Sequence, residues 1–273
     1  MDIFNLIKQE CRRRGLSERT IETYCFCTDK FLKWIKKEPK QVTKQDIKNF
    51  MTYIMEKGRS GSTLNVYVNA LKFMIEEVLS KRILINLKYS KVPKTLPVFL
   101  TKEEVRKLVS SIKNAKHKLM VELMYSAGLR VSELINLKVE DLDLNSRIGW
   151  VRNGKGRKDR LFVVADSLLK ILGNYLILNN IGEGYLFLGR NNSHIHQRSL
   201  QNIVKMAAKK AGIKKKVHCH TLRHSFATHL VENGYDVATV QSLLGHSSSR
   251  TTMVYIHMAS PKLVNVKSPL DSL

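Results

Sequence analysis

Acidic residues are scarce in this chain: 23 aspartates and glutamates stand against 47 lysines and arginines in 273 residues, a formal net charge of +24. The excess is shared along the chain, with 20 basic and 10 acidic residues up to Leu96 and 27 and 13 beyond it. A lone basic tail therefore does not account for it, and the composition points to a polyanionic partner, nucleic acid before an anionic membrane surface. Cysteine is also sparse. Cys11, Cys25, Cys27 and Cys219 form no CxxC pair, which argues against a disulfide framework and fits a reducing cytoplasm. Long apolar runs are missing: no stretch approaches the ~20 residues that span a bilayer. The opening MDIFNLIKQECRRRG places its basic residues after a short apolar patch, unlike a secretory signal. The expectation is a cytoplasmic protein. With 43% hydrophobic and 26% charged residues, the composition is that of a globular chain long enough for two cores.

Periodicity divides the chain into two domains. Residues 1–83 read as helices throughout, with Ile21, Tyr24, Cys25, Thr28, Phe31, Leu32 and Ile35 recurring at three- and four-residue steps. Thr43 and Asp46 form a capping-box pattern, Gly58 ends that helix, and a further run from Leu64 to Val78 completes a bundle of about four helices. Residues 84–100 carry Pro93, Pro97 and several lysines in place of apolar periodicity, which predicts a linker. A second domain, 101–273, opens on the capping box TKEE at Thr101 and continues through a helix over Leu119 to Ser126, broken at Gly128. The runs IGWV and LFVV around RNGKGRKDR predict a β-hairpin over 148–164. Helices return over Ser167 to Asn179 and Ser199 to Ala211. The fold class expected is mainly α, with a small β-sheet or hairpin in the second domain.

Three segments carry the chemistry. In HCHTLRHSFATHLVENG, His220 and Arg223 lie three residues apart and project from one turn, where imidazole and guanidinium can grip a phosphate oxygen together; Leu222, Phe226, Leu230 and Val231 mark a buried face. In LGHSSSRTTMVYIH, Gly245 stops a short helix, His246 follows, and Tyr255 sits between Val254 and Ile256. In AGLRVSELINL, Arg130 falls at a helix start, a position whose dipole opposes a cation and which a bound anion would rationalise. Each residue also has a plainer account. The histidines can be ordinary helix members, Tyr255 a core aromatic and Lys155 part of a solvated basic turn. Zinc on His218, Cys219, His220 and His224 is a poor fit, because adjacent residues cannot all converge on one ion.

Taken in order, the LTKEEV entry, GLRVSEL, GKGRKDR, HTLRHSFATHL and LGHSSSRTTMVYIH resemble the tyrosine recombinase, or phage integrase, family, and within it the Xer type. The resemblance covers the whole second domain from about Pro97 to His257. The first domain, with its SERTIETY segment, resembles the family's core-binding domain more loosely. What the resemblance implies is a two-domain DNA clamp with the catalytic set Arg130, Lys155, His220, Arg223, His246 and the nucleophile Tyr255, and with Glu133 as the acidic residue that supports the first arginine. In that scheme Arg130 and Arg223 clamp non-bridging phosphate oxygens, His220 accepts the phenolic proton and His246 donates to the phosphate. Lys155 returns a proton to the leaving 5′-hydroxyl. No metal and no other cofactor is implied. The product is a 3′-phosphotyrosyl link that a second 5′-hydroxyl displaces, by way of a Holliday junction and a tetramer on two double-stranded sites, in the service of chromosome-dimer resolution. Arg12, Arg13 and Arg14 are candidate phosphate contacts in the first domain. A short tail interrupted by Pro261 and Pro269 departs from relatives whose C-terminal helix docks into a neighbour. A type IB topoisomerase, a transposon-borne integrase and a non-enzymatic DNA-binding regulator are the competing readings. The separate helical domain, the absence of an arm-binding segment and the intact set of motifs argue against them in turn.

Overall fold

The computed structural model describes residues 2–81, 90–91, 96–152, 159–189, 193–245 and 252. Lys155, His246 and Tyr255 and the tail with its prolines lie outside the described residues. The chain divides into two compact units, Met1–Lys94 and Thr95–Leu273.

The first unit is helical. Helices α1 (Ile3–Arg13), α2 (Glu18–Ile35), α3 (Lys44–Glu56) and α4 (Gly61–Lys72) start on side-chain caps from Asp2, Ser17, Thr43 and Ser60 respectively. Each cap satisfies amide donors that a first turn leaves free. The capping box read at Thr43 is present, with Asp46 reaching back to the Thr43 amide. The run from Leu64 to Val78 is not one α-helix, however. From Phe73 to Val78 it widens into a π-helix, an insertion that apolar periodicity does not register because Phe73, Met74 and Ile75 stay buried through it. Ile7, Phe31, Phe50 and Leu71 fill the centre, and Phe50 meets Phe31 and Tyr67 edge-on at ring separations of 5.1 and 5.6 Å. Ser90, inside the span read as linker, belongs to this unit: it exchanges hydrogen bonds of 2.8 and 3.1 Å with Asn65.

In the second unit, Thr101 and Glu104 form the expected capping box of α5 (Lys102–Ser110). Leu100, just before it, is fully buried and its amide donates to Ser225 Oγ at 2.9 Å, so the far end of the Pro- and Lys-rich span is anchored. Helix α6 runs over Ala115–Ser126 and α7 over Val131–Ile135. The sheet has three antiparallel strands in the order β1 (Leu142–Asp143), β2 (Ile148–Val151), β3 (Arg160–Val163). The hairpin β2–β3 is the one the sequence predicts. The third strand, two residues long, is too short to leave a period-two signal. Gly149 pairs with Phe162 across the hairpin, and a Cβ there would lie 2.3 Å from the Phe162 ring, so glycine is what lets that ring lie inward against the core. Helices α8 (Asp166–Leu178), α9 (Gln197–Lys210), α10 (Cys219–Glu232) and α11 (Val237–Leu244) follow among the described residues.

Helix α10 differs from the amphipathic reading. Leu222 is buried, but Phe226, Leu230 and Val231 are only half-buried, while Thr221, Arg223, Ser225, Thr228 and His229 are buried. It is a helix enclosed on most sides, and some of its buried polar groups find partners inside: His229 Nδ1 lies 2.8 Å from the Tyr125 hydroxyl, and Ser225 Oγ donates to Thr221 O, whereas Thr228 Oγ1 has no hydrogen-bond partner among the described residues. All four cysteines are free.

Gly128 joins α6 to α7 at φ +57°, and a Cβ there would stand 2.3 Å from Phe226 and 3.2 Å from Leu244. Gly128→Ala is expected to destabilise the second unit by about 2–4 kcal/mol, from about 1 for the left-handed backbone and about 1–3 for displacing a packed ring. Gly212→Ala, also at positive φ but with open space around it, should cost only the backbone part. Urea unfolding of the two variants checks this, and equal losses would refute the packing argument.

Candidate active site

The site is built where α6 gives way to α7. After Gly128, Arg130 takes an extended conformation (φ −72°, ψ 156°) as the cap residue of α7, and Glu133 folds back so that Oε2 accepts the Arg130 amide at 2.8 Å. Glu133 Oε1 accepts from the Arg130 guanidinium at 2.5 Å. The cation at a helix start therefore does not need an external anion to be tolerated, because the carboxylate one turn on answers both the dipole and the guanidinium.

Two further arginines meet the same carboxylate. Arg160, the first residue of β3, donates to Glu133 Oε2 at 2.7 Å and to the Leu243 carbonyl at 2.6 Å. Arg223 on α10, 1% exposed, lies 3.7 Å from Glu133 Oε2 and donates to the carbonyls of Gly128, at 2.6 Å, and Leu244. One carboxylate thus holds three guanidiniums and leaves a local surplus of two positive charges. Burial by itself would raise the Glu133 carboxyl. The charge of Arg160, the Arg130 amide and the charges of Arg130 and Arg223 outweigh it and hold the group below its ordinary value.

His220 stands one turn before Arg223 and is open to solvent. Partial desolvation, then the charges of Arg223 and Arg130, lower its imidazole from the usual value. Its ring stacks on that of His224 at 5.4 Å, and burial together with the neighbouring histidines takes His224 down to about 4. Near neutral pH, His220 is therefore an acceptor. A groove of about 650 Å³ is lined by Arg130, Ser132, His218 and His220 and, from α9, by Gln197, Arg198, Gln201, Asn202 and Lys205. Such a lining, cations and amides with no carboxylate, suits a phosphate backbone and base edges.

Of the residues singled out in the sequence, the structure brings Arg130, Glu133, His220 and Arg223 together; Lys155, His246 and Tyr255 lie outside the described residues. Arg12, Arg13 and Arg14 are engaged with their own unit. Arg12 pairs with Glu18 at 3.4 Å, Arg13 and Arg14 clasp Glu10 at 2.8 and 2.6 Å, and Arg14 also pairs with Glu77. The hydrogen bonds of Arg13 and Arg14 bring the Glu10 carboxyl down to about 2. Sequence reasoning missed Arg160 and the α9 lining. Arg160 had a signal: in a strand with Phe162 facing inward, period two places Arg160 on the same face. The apolar core of α9, by contrast, drew attention away from its polar side.

Because Glu133 is held below the ordinary glutamate value near 4.3, its ionised form contributes stability above that pH, and the contribution is lost as pH falls through the folded-state value. Glu133→Gln is expected to flatten the decline in urea midpoint below about pH 5 and to cost about 3–5 kcal/mol at pH 7, where three guanidiniums lose their counter-charge. An unchanged acid slope would count against the cluster as a titrating unit.

Residues 98–261 match the phage integrase family, and residues 3–85 match the N-terminal SAM-like domain of phage integrases. The tyrosine recombinase XerA of Pyrococcus furiosus is 39% identical over 254 residues, covering 91% of this chain and 87% of that protein. The tyrosine recombinase XerD of Oceanobacillus iheyensis is 34% identical over 284 residues, covering 96% and 94%. Among solved structures, the XerH site-specific recombinase bound to palindromic difH substrate, a post-cleavage complex, superimposes with a TM-score of 0.75 at 25% identity, over 97% of this chain and 84% of that one. Geometry, motifs and relatives agree: the chain belongs to the phage integrase family, among its Xer-type tyrosine recombinases, whose expected activity is site-specific cleavage and rejoining of DNA.

Proposed function

We propose that this chain exchanges strands between two copies of a specific double-stranded site through a 3′-phosphotyrosyl bond to Tyr255, and that it serves to resolve chromosome dimers in the cytoplasm. The observation that supports this best is the set of guanidiniums gathered on Glu133, one of which, Arg130, lines a groove together with an unprotonated His220 and, among the described residues, no carboxylate. A phosphodiester repels nucleophiles, and its transition state gathers further negative charge, so fixed cations lower the barrier without having to reorganise. Arg130 and Arg223 form the clamp, and His220 accepts the Tyr255 proton. His246 donates to the phosphate, and Lys155 protonates the leaving 5′-hydroxyl. The phosphotyrosine conserves the energy of the broken bond, so a second 5′-hydroxyl displaces the tyrosine without ATP. Four chains carry two duplexes through a Holliday junction, and the two basic domains close around each duplex as a clamp. The Xer names of the relatives carry the assignment to chromosome dimers.

Arg223 requires care in any test. Its donors serve the Gly128 and Leu244 carbonyls, so Arg223→Ala leaves buried acceptors unpaired and mixes a folding loss with a catalytic one. Tyr255→Phe removes a single oxygen and is the cleaner variant. The substrate is a nicked duplex carrying a site that the wild-type chain selects from a random-sequence pool, labelled on the strand that keeps the 3′-phosphate, with EDTA present. The wild-type chain is expected to form a covalent adduct that survives a denaturing gel and maps to Tyr255, and Tyr255→Phe to form none while binding the duplex as well. An adduct in the Phe variant, one on another tyrosine, or strict dependence on added magnesium would overturn the reading.

A further inference from the structure

Arg160 is placed differently from the other two arginines of the cluster. Its side chain is 8% exposed and spans three elements: from β3 it reaches Glu133 on α7 with one terminal nitrogen and the last turn of α11, at the Leu243 carbonyl, with the other. Its buried Nε has no hydrogen-bond partner among the described residues. The stem is as constrained as the head, since a Cβ on Gly245 would stand 2.6 Å from Arg160 Cδ. The left-handed glycine that ends α11 is thus fitted to this side chain.

We propose that Arg160 is a positioning residue for strand cleavage, which fixes the Glu133 carboxylate so that its other oxygen holds the Arg130 guanidinium in place. The inference rests on the catalytic reading above. Glu133 Oε2 is contested: it receives the Arg130 amide at 2.8 Å and Arg160 at 2.7 Å, while the Arg223 guanidinium waits at 3.7 Å. Oε1 faces Arg130 at 2.5 Å. With Arg160 in place, the carboxylate plane is set by two donors from different elements, and Arg130 takes the remaining oxygen. Without Arg160, the other guanidinium beside Oε2 is Arg223, at 3.7 Å, and rotation of the carboxylate toward it lengthens the contact that orients Arg130. A lysine cannot substitute fully, because a point charge reaches one of the two acceptors where a planar fork reaches both. The buried guanidinium is also desolvated, which lowers its affinity for the proton, and Glu133 opposes that effect. The two groups therefore hold each other in their charged forms.

The test is single-turnover cleavage of the nicked, pool-selected duplex by wild-type chain, Arg160→Met, Arg160→Lys, Glu133→Gln and the Arg160→Met/Glu133→Gln double variant. All are assayed below the melting temperature of the least stable. Arg160→Met is expected to slow adduct formation roughly 10²-fold, as a misplaced catalytic group does, while affinity for the duplex changes by about threefold or less. Arg160→Lys should recover part of the rate, and in the Glu133→Gln background Arg160→Met should slow cleavage no further, since both changes break one linkage. Cleavage by Arg160→Met at the wild-type rate would overturn the inference. So would affinity and rate falling in proportion, which marks a merely structural residue, or effects that multiply in full in the double variant. A wild-type chain that forms no adduct overturns the catalytic reading and this inference with it; an active wild type with an indifferent Arg160 overturns the inference alone.

Discussion

One buried carboxylate organises this protein's candidate site. Glu133, its side chain 4% exposed, sits where a four-residue connection between α6 and α7 brings α7, β3 and α10 together, and each of the last two contributes an arginine to it. Taking four charges out of water is costly unless they are mutually satisfied. The surrounding fold is arranged to satisfy them: the Gly128, Leu243 and Leu244 carbonyls accept from the guanidiniums, and Gly128 and Gly245 take left-handed turns where an added Cβ would crowd Phe226 and Arg160 respectively. Of the three arginines, Arg130 opens with His220 onto the groove.

Charge at the level of the whole chain repeats the pattern. A formal +24 draws the protein to a polyanion from a distance, but screening within about 10 Å at ordinary salt makes that attraction unselective. Selectivity has to come from short-range groups, and the amides and cations of α9 that line the groove with Arg130 are placed to provide it. The arginines at the end of α1, Arg12 to Arg14, illustrate the contrast. Exposed and paired with Glu10, Glu18 and Glu77, they add to the long-range field, and the duplex must compete with carboxylates for their closer contacts.

Much of this was legible in the sequence, for identifiable reasons. Helix starts were readable because capping chemistry is local: Thr43 with Asp46 and Thr101 with Glu104 do in the structure what their spacing predicts. The hairpin was readable from two β-rich runs around a glycine turn. The π-helix at Phe73 and the two-residue strand β1 were not, since neither changes the apolar pattern. Arg130, Glu133, His220 and Arg223 were found through motifs. Their mutual distances come from folding over 90 residues of intervening chain, which no spacing rule encodes. Arg160 was passed over for a different reason: a charged residue at the mouth of a basic turn reads as solvated, although period two places it on the inward face with Phe162; its partners on α7 and α11 come only with the fold.

The central claim is that the groove beside Arg130 and His220 seats the phosphate to be cut while the Glu133 carboxylate stays with its arginines. The most direct measurement is a crystal structure of Tyr255→Phe protein with its uncleaved duplex. The account predicts non-bridging oxygens of one phosphate within about 3 Å of donors on Arg130 and Arg223, His220 beside them, and Arg160 still bound to Glu133 and Leu243 without touching DNA. A phosphate seated away from Arg130, or an Arg160 that has left Glu133 to bind the backbone, would contradict it.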